Sequence, residues 1–270
     1  MKFEVVAPCQ YHCVFCAHDG MMQDYKGYQL SMPELDRFIE CTQASDYFID
    51  ALSVHGMGEP FLWKHFDEGL KRLKLSGVVG SLGVTTNGLL LDRIADETWA
   101  CIDQLTVSVY PGYPKQDLLD RLRAAHGDKI RVIPPDVLFK ALPYKEFRGK
   151  TPCYCACAGP MFAKDKIYFY CGPPVFDAAK LANVDIHQRR DLYTELTPHY
   201  LEQADPTRCG NLDLCNSCWA NDSIQRPRFE HGYTPSRTEL ILKTWQEGAR
   251  HQLRQGAKLI LMEVGLRKTE

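Results

Sequence analysis

Hydrophobic positions in the first 135 residues fall alternately into short apolar runs and into helical spacing. Phe3–Ala7 reads as a strand. Pro33–Ala44 follows as a helix, with Ser31 as N-cap and Glu34 completing a capping box. Asp50–His55 is a second strand and Phe61–Leu75 the next amphipathic helix. Val78–Thr85 is a third strand before a helix over Asp92–Cys101, and Gln104–Tyr110 a fourth before a helix over Pro114–Ala125. Ile130–Ile133 is a fifth strand. Repeated strand–helix units predict a parallel sheet with helices packed outside it.

After Pro134-Pro135 the texture changes to short loops, aromatic residues and cysteines, and a boundary is expected near residue 145. Met161–Tyr170 reads as a hairpin turning at Lys164-Asp165, and His187–Gln203 as a helix. Ser236 and Glu239 cap a further helical segment that runs to about Leu266. No internal repeat or low-complexity segment is visible.

Composition narrows the function. The 270 residues are 45% hydrophobic and 24% charged with a net charge of -2, so neither nucleic acid nor an anionic membrane is expected as a partner. No apolar stretch is long enough to span a bilayer, and the N-terminus lacks the plan of a signal peptide. A cytoplasmic location follows as the expectation. Twelve cysteines are many for a reducing compartment, and their clustering favours metal over disulfides. Three lie between Cys9 and Cys16 and seven between Cys153 and Cys218. The isolated Cys41 and Cys101 read as small buried hydrophobes.

Cys9, Cys13 and Cys16 stand at C-x3-C-x2-C in a loop just after the first strand. Three thiolates suit a cubic [4Fe–4S] cluster and leave one iron open to a small molecule, whereas four cysteines suit electron transfer alone. The same spacing alone also fits part of a zinc site or a redox pair. His55-Gly-Met-Gly-Glu-Pro60, Thr85-Thr-Asn-Gly88 and Ser108-Val-Tyr110 also fall at predicted strand ends. In parallel α/β folds all those ends lie on the face where chemistry gathers.

These four segments together resemble the radical S-adenosylmethionine (SAM) enzymes over roughly residues 3–135, and Phe15 before the third cysteine is also typical of that family. The resemblance implies that Cys9, Cys13 and Cys16 hold the cluster and that SAM binds its fourth iron. It implies that Gly56, Gly58 and Glu59 meet the SAM ammonium, that Thr86 and Asn87 lie beside the ribose, that Ser108 meets the ribose or carboxylate, and that Ile133 borders the adenine. Met57 separates glycines that are adjacent in the commonest form, and Tyr110 replaces a usual acidic residue. His12 and His18 read as ordinary loop histidines, and Tyr113 as pocket wall. The fold so implied is α/β, a partial (β/α) barrel of parallel strands over residues 1–145. A small C-terminal α+β iron–sulfur domain would cover 146–235 and a helix 236–270.

The later cysteines bracket the hairpin and then form C-x2-C, which resembles the shortened SPASM, or twitch, domain with one auxiliary [4Fe–4S] cluster. The resemblance implies Cys153, Cys171, Cys215 and Cys218 as ligands, with Cys155 or Cys157 able to replace Cys153. A four-cysteine zinc site is the alternative. The size and cysteine layout are similar to those of the radical SAM dehydrogenases that oxidise an aminocyclitol alcohol. That implies hydrogen abstraction from a small polar, sugar-like or alcohol-bearing metabolite, with the auxiliary cluster accepting an electron. A flavodoxin- or ferredoxin-type donor would reduce the first cluster. Tyr110 and Cys209 are the candidate catalytic residues. Tyr110, with His18 and Asp19, is a candidate proton acceptor. Cys209, with Cys155 and Cys157, is a candidate hydrogen donor for the rival reaction, epimerisation. Maturation of a ribosomal peptide is a further rival, set lower because the N-terminus starts directly at the first strand. A non-catalytic iron–sulfur sensor is set lower by the SAM-binding elements.

Overall fold

The computed structural model describes residues 1–10, 25–45, 47–55, 58–109, 114–133, 160–169, 176, 179 and 183–203. They build one sheet of eight strands in the order β5-β4-β3-β2-β1-β6-β7-β8. The strands are β1 (Lys2–Phe3), β2 (Ile49–Val54), β3 (Val79–Thr86), β4 (Gln104–Ser108), β5 (Ile130–Ile133), β6 (Met161–Ala163), β7 (Lys166–Tyr168) and β8 (Tyr193–Glu195). From β5 across to β6 every pairing is parallel, and β6–β7–β8 is an antiparallel meander. The C-terminal ends of β1 to β5 therefore share one edge, as the alternation of strands and helices predicts.

The helices are α1 (Met32–Gln43), α2 (Phe66–Leu75), α3 (Asp96–Cys101), α4 (Gln116–His126) and the short α5 (Tyr200–Gln203). The expected capping box of α1 is present. Ser31 Oγ accepts the Glu34 N–H, and Glu34 Oε2 accepts the Ser31 N–H at 2.7 Å. Leu35, Phe38 and Ile39 recur at helical spacing and bury that face of α1. Phe38 meets Phe3 of β1 and Phe162 of β6, with ring centroids 4.7 and 5.0 Å apart. A second apolar cluster, with Tyr25, Met161, Tyr168, Phe176 and Tyr193, forms beside β6 to β8. The alternation along β6 sends Phe162 to the first cluster and its neighbours Met161 and Ala163 to the second.

Four elements differ from expectation. Regular pairing of β1 stops at Phe3, because the chain then changes partners. Val5 C=O accepts the Leu30 N–H, Ala7 N–H goes to Tyr28 C=O, and Val6 bridges Gln29. The helix read over Phe61–Leu75 begins only at Phe66, after a 3-10 turn at Pro60–Leu62. Trp63 is extended there, and its indole N–H reaches back to Leu30 C=O at 2.7 Å. The helix read over Asp92–Cys101 is likewise a 3-10 turn, Leu91–Arg93, followed by α3. The helix read over His187–Gln203 is instead a 3-10 turn (Ile186–Gln188), strand β8 and α5. Tyr193–Glu195 finds an unpaired edge on β7, and that pairing overrides the local helical pattern. The helix α5 begins only at Tyr200, whose N–H goes to Thr197 C=O at 3.1 Å.

The hairpin falls where it was read, with Lys164 and Asp165 at φ 50° and 60°, the positive values a tight two-residue hairpin needs. The boundary expected near residue 145 lies outside the described residues, as does the segment 236–270. Strand β6 nevertheless pairs directly with β1, so the sheet is continuous from the N-terminal units into the hairpin. Cys101 is buried as expected, with its Sγ 3.7 Å from Glu97 C=O, while Cys41 is only half-buried. Among the described residues no helix is long and apolar enough to cross a membrane.

Candidate functional site

The ends of β1, β2 and β3 are tied together by one polar network. After β2 the chain passes His55 and reaches Gly58 and Glu59, where it packs on the segment that leads to Cys9. Glu59 N–H goes to Pro8 C=O at 2.9 Å. At Gly58 a Cβ would lie 2.2 Å from the Val6 carbonyl oxygen and 2.5 Å from that of Pro8. Glycine is needed there because two stretches of backbone touch, a reason different from the ligand approach read from sequence.

Glu59 is 2% exposed, and both its oxygens are engaged by the chain's own donors. Oε1 accepts from Thr86 Oγ1 at 2.7 Å and from the Phe61 N–H at 3.3 Å, and Oε2 accepts the Asn87 N–H at 2.8 Å. Burial raises the carboxyl pKa, and the bonds from Asn87, Thr86 and Phe61 oppose that rise. Thr86 Oγ1 in turn accepts the Gly88 N–H at 3.0 Å. Gly88 takes φ +81°, and a Cβ there would press on the Pro114 ring. The Thr-Thr-Asn-Gly run is thus both a turn and an anchor.

Asn87 extends the network to the cysteine loop. Its Nδ2 lies 3.7 Å from Cys9 Sγ and 3.1 Å from Gln10 Oε1. Cys9 is a half-buried thiol. Ser108 is 8% exposed at the end of β4 and stands opposite Ile133 in the register with β5. The structure therefore brings Cys9, Gly58, Glu59, Thr86, Asn87, Ser108 and Ile133 to one edge of the sheet. Cys13, Phe15, Cys16, Gly56 and Tyr110 lie outside the described residues, as do Cys153, Cys171, Cys209, Cys215 and Cys218.

Two participants escaped the sequence reading. Gln10 holds the Asn87 amide, and a glutamine beside a cysteine carries no pattern that marks it. His55 was read only as the start of a glycine run. Its Nδ1 lies 2.8 Å from Ser53 Oγ, and its pKa is lowered to about 4 by burial and then by the charge of Lys2. The imidazole is neutral at physiological pH and braces the end of β2.

Residues 4–133 match the Radical SAM superfamily. A stretch of 113 residues is 32% identical to GTP 3',8-cyclase from Mesorhizobium japonicum, covering 40% of this chain and 33% of that protein. Another of 113 residues is 29% identical to UPF0026 protein slr1464 from Synechocystis sp., covering 41% of this chain and 42% of that one. Each alignment thus spans less than half of the relative. The fold extends further. It is similar to BtrN crystallised with AdoMet and 2-DOIA, at 14% identity and a TM-score of 0.51 over 80% of this chain and 83% of that one. It is also similar to BtrN in an open conformation, at 16% identity and a TM-score of 0.52 over 86% and 97%.

An iron–sulfur cluster and SAM are the groups this class implies. The described residues fit the cluster. A cysteine thiol stands at the strand-end edge of a parallel sheet with an amide N–H aimed at its sulfur, the donor chemistry a ligating thiolate takes in its outer shell.

Proposed function

We propose that this protein is a radical SAM oxidoreductase that removes hydrogen from a small, polar, alcohol-bearing metabolite and completes a two-electron oxidation. The observation that carries the reading is the Cys9–Asn87–Glu59 network at the strand-end edge of a sheet whose residues 4–133 match the Radical SAM superfamily. Cys9, Cys13 and Cys16 would hold the cluster, with SAM on its remaining iron. When bound, cluster and SAM together supply a 5′-deoxyadenosyl radical that takes one hydrogen atom from the substrate.

The chain's own residues orient and shield that chemistry. Gly58 lets the β2 loop lie flat on the cysteine loop. Glu59 and Thr86 hold the end of β3 so that its turn cannot drift from the cofactor. Ser108 and Ile133 border the same edge farther along. Tyr110 is our candidate to accept the proton of the substrate hydroxyl. The substrate loses a hydrogen atom, a proton and an electron, and the electron goes to an auxiliary cluster on Cys153, Cys171, Cys215 and Cys218. A flavodoxin- or ferredoxin-type protein would supply the priming electron. The oxidation reading draws support from the fold, which is similar to BtrN over four-fifths or more of the chain.

Anaerobic reconstitution with iron and sulfide, then incubation with SAM, dithionite and a panel of polyols and aminocyclitols, tests the reading. We expect 5′-deoxyadenosine and a product lighter than its substrate by two hydrogens. A product of unchanged mass in ordinary water that gains one deuterium in heavy water would assign epimerisation with a cysteine thiol as donor, Cys209, Cys155 and Cys157 being the candidates. A chain that makes no 5′-deoxyadenosine under any condition would refute the enzyme reading.

A further inference from the structure

The polar network does more than join loops, because it aims one hydrogen. The orientation of the Asn87 carboxamide follows from its partners. Oδ1 accepts the Leu89 N–H at 3.0 Å, a bond that only the oxygen can make. Nδ2 is then the atom facing the cysteine loop, and its two hydrogens match the two acceptors there, Gln10 Oε1 at 3.1 Å and Cys9 Sγ at 3.7 Å. The residue cannot swing away easily. It is 7% exposed, and its backbone N–H is held by Glu59 Oε2 at 2.8 Å.

We propose that Asn87 is a positioning residue for the cluster on Cys9, and that its amide N–H, aimed at the Cys9 sulfur by Leu89 and Glu59, raises the reduction potential of that cluster. This rests on the reading that Cys9 is a cluster ligand. A donor to a ligating thiolate draws electron density from the sulfur and favours the more negative, reduced form. The effect eases priming by a protein reductant and moderates the electron's drive toward SAM. The ribose role that the resemblance assigned to Asn87 would leave the cluster's potential in the absence of SAM unaffected, so the two roles separate experimentally.

The test uses the full-length protein, reconstituted anaerobically, without SAM or substrate. Potentiometric titration is followed by the electron paramagnetic resonance of the reduced cluster, and exchangeable-deuteron coupling is read in heavy water. Asn87→Ala removes the donor, and Asn87→Ser keeps polarity but is too short to reach the sulfur. Both are expected to shift the potential negative, so that several-fold less cluster is reduced at the wild-type midpoint, and to weaken the deuteron coupling. Glu59→Gln should shift it the same way by less, since it loosens the aim and leaves the donor. Unchanged potential and coupling in both Asn87 variants at full iron content would overturn the proposal and leave the radical SAM reading standing. Failure of both variants to take up iron would also overturn it, by placing Asn87 in site assembly. A wild-type chain that binds no cluster would remove the reading itself.

Discussion

The two flanks of β1 are stabilised in different ways. On one side β2 to β5 run parallel, and their shared edge is held by buried polar groups, among them Glu59, Thr86, Asn87 and Ser108. On the other side β6 to β8 turn antiparallel, and aromatic packing dominates. Phe162 lies 4.8 Å from Phe3 in a stacked arrangement, and Tyr168 packs edge-on against Phe176 at 5.1 Å. The contrast separates two jobs. Apolar burial is non-directional and gives stability, whereas directional hydrogen bonds fix the placement of groups along the strand-end edge. Damage to the aromatic flank should therefore unfold the protein, and damage to the polar edge should disable it while folded.

The largest expected effect belongs to the aromatic flank. Phe162→Ala should cost about 3–5 kcal/mol in urea unfolding, because it opens a cavity shared by Phe3 and Phe38. If its loss is confined to cluster binding at unchanged stability, the division between flanks is wrong. Next comes Gly58→Ala, where the new Cβ meets main-chain oxygens that cannot move separately. A cost of about 1–3 kcal/mol is expected, together with loss of most iron uptake in a chain that keeps native circular dichroism. Iron content equal to wild type would contradict the edge's role in placement.

The smallest effect concerns pH. His55 has a folded pKa lowered to about 4 from 6.5, so the unfolded chain binds more protons between those values. Its contribution to stability is present above about pH 6.5 and is lost as pH falls toward 4. Glu59, with a raised pKa, acts in the opposite sense, losing stability as pH rises through the acid range. The comparison of wild type with His55→Gln isolates the histidine. Between about pH 7 and pH 5 the variant should lack about 2 kcal/mol of the wild type's fall in stability. Parallel stability curves for the two proteins would show that His55 titrates as freely as in solvent.

Much of this architecture could be read along the chain, because strand and helix periods are local properties. Strand β5 was read at its observed bounds, the α1 capping box was foreseen, and the Lys164-Asp165 turn fell in place. The misread helix at His187–Gln203 had a non-local cause, the free edge of β7. The cysteine spacing, the glycine–glutamate run and the Thr-Thr-Asn-Gly run pointed to the superfamily that residues 4–133 match, since ligands and tight turns need particular residue types at short range. The partnerships among them were not legible. Nothing in sequence says that Glu59 would hold Thr86 and Asn87, that Gly58 would lie against Val6 and Pro8, or that Asn87 would turn its amide to Cys9. Those pairs are joined only when parallel strands bring distant ends to one edge. A hydrogen bond depends on distance in space, which separation along the chain does not encode.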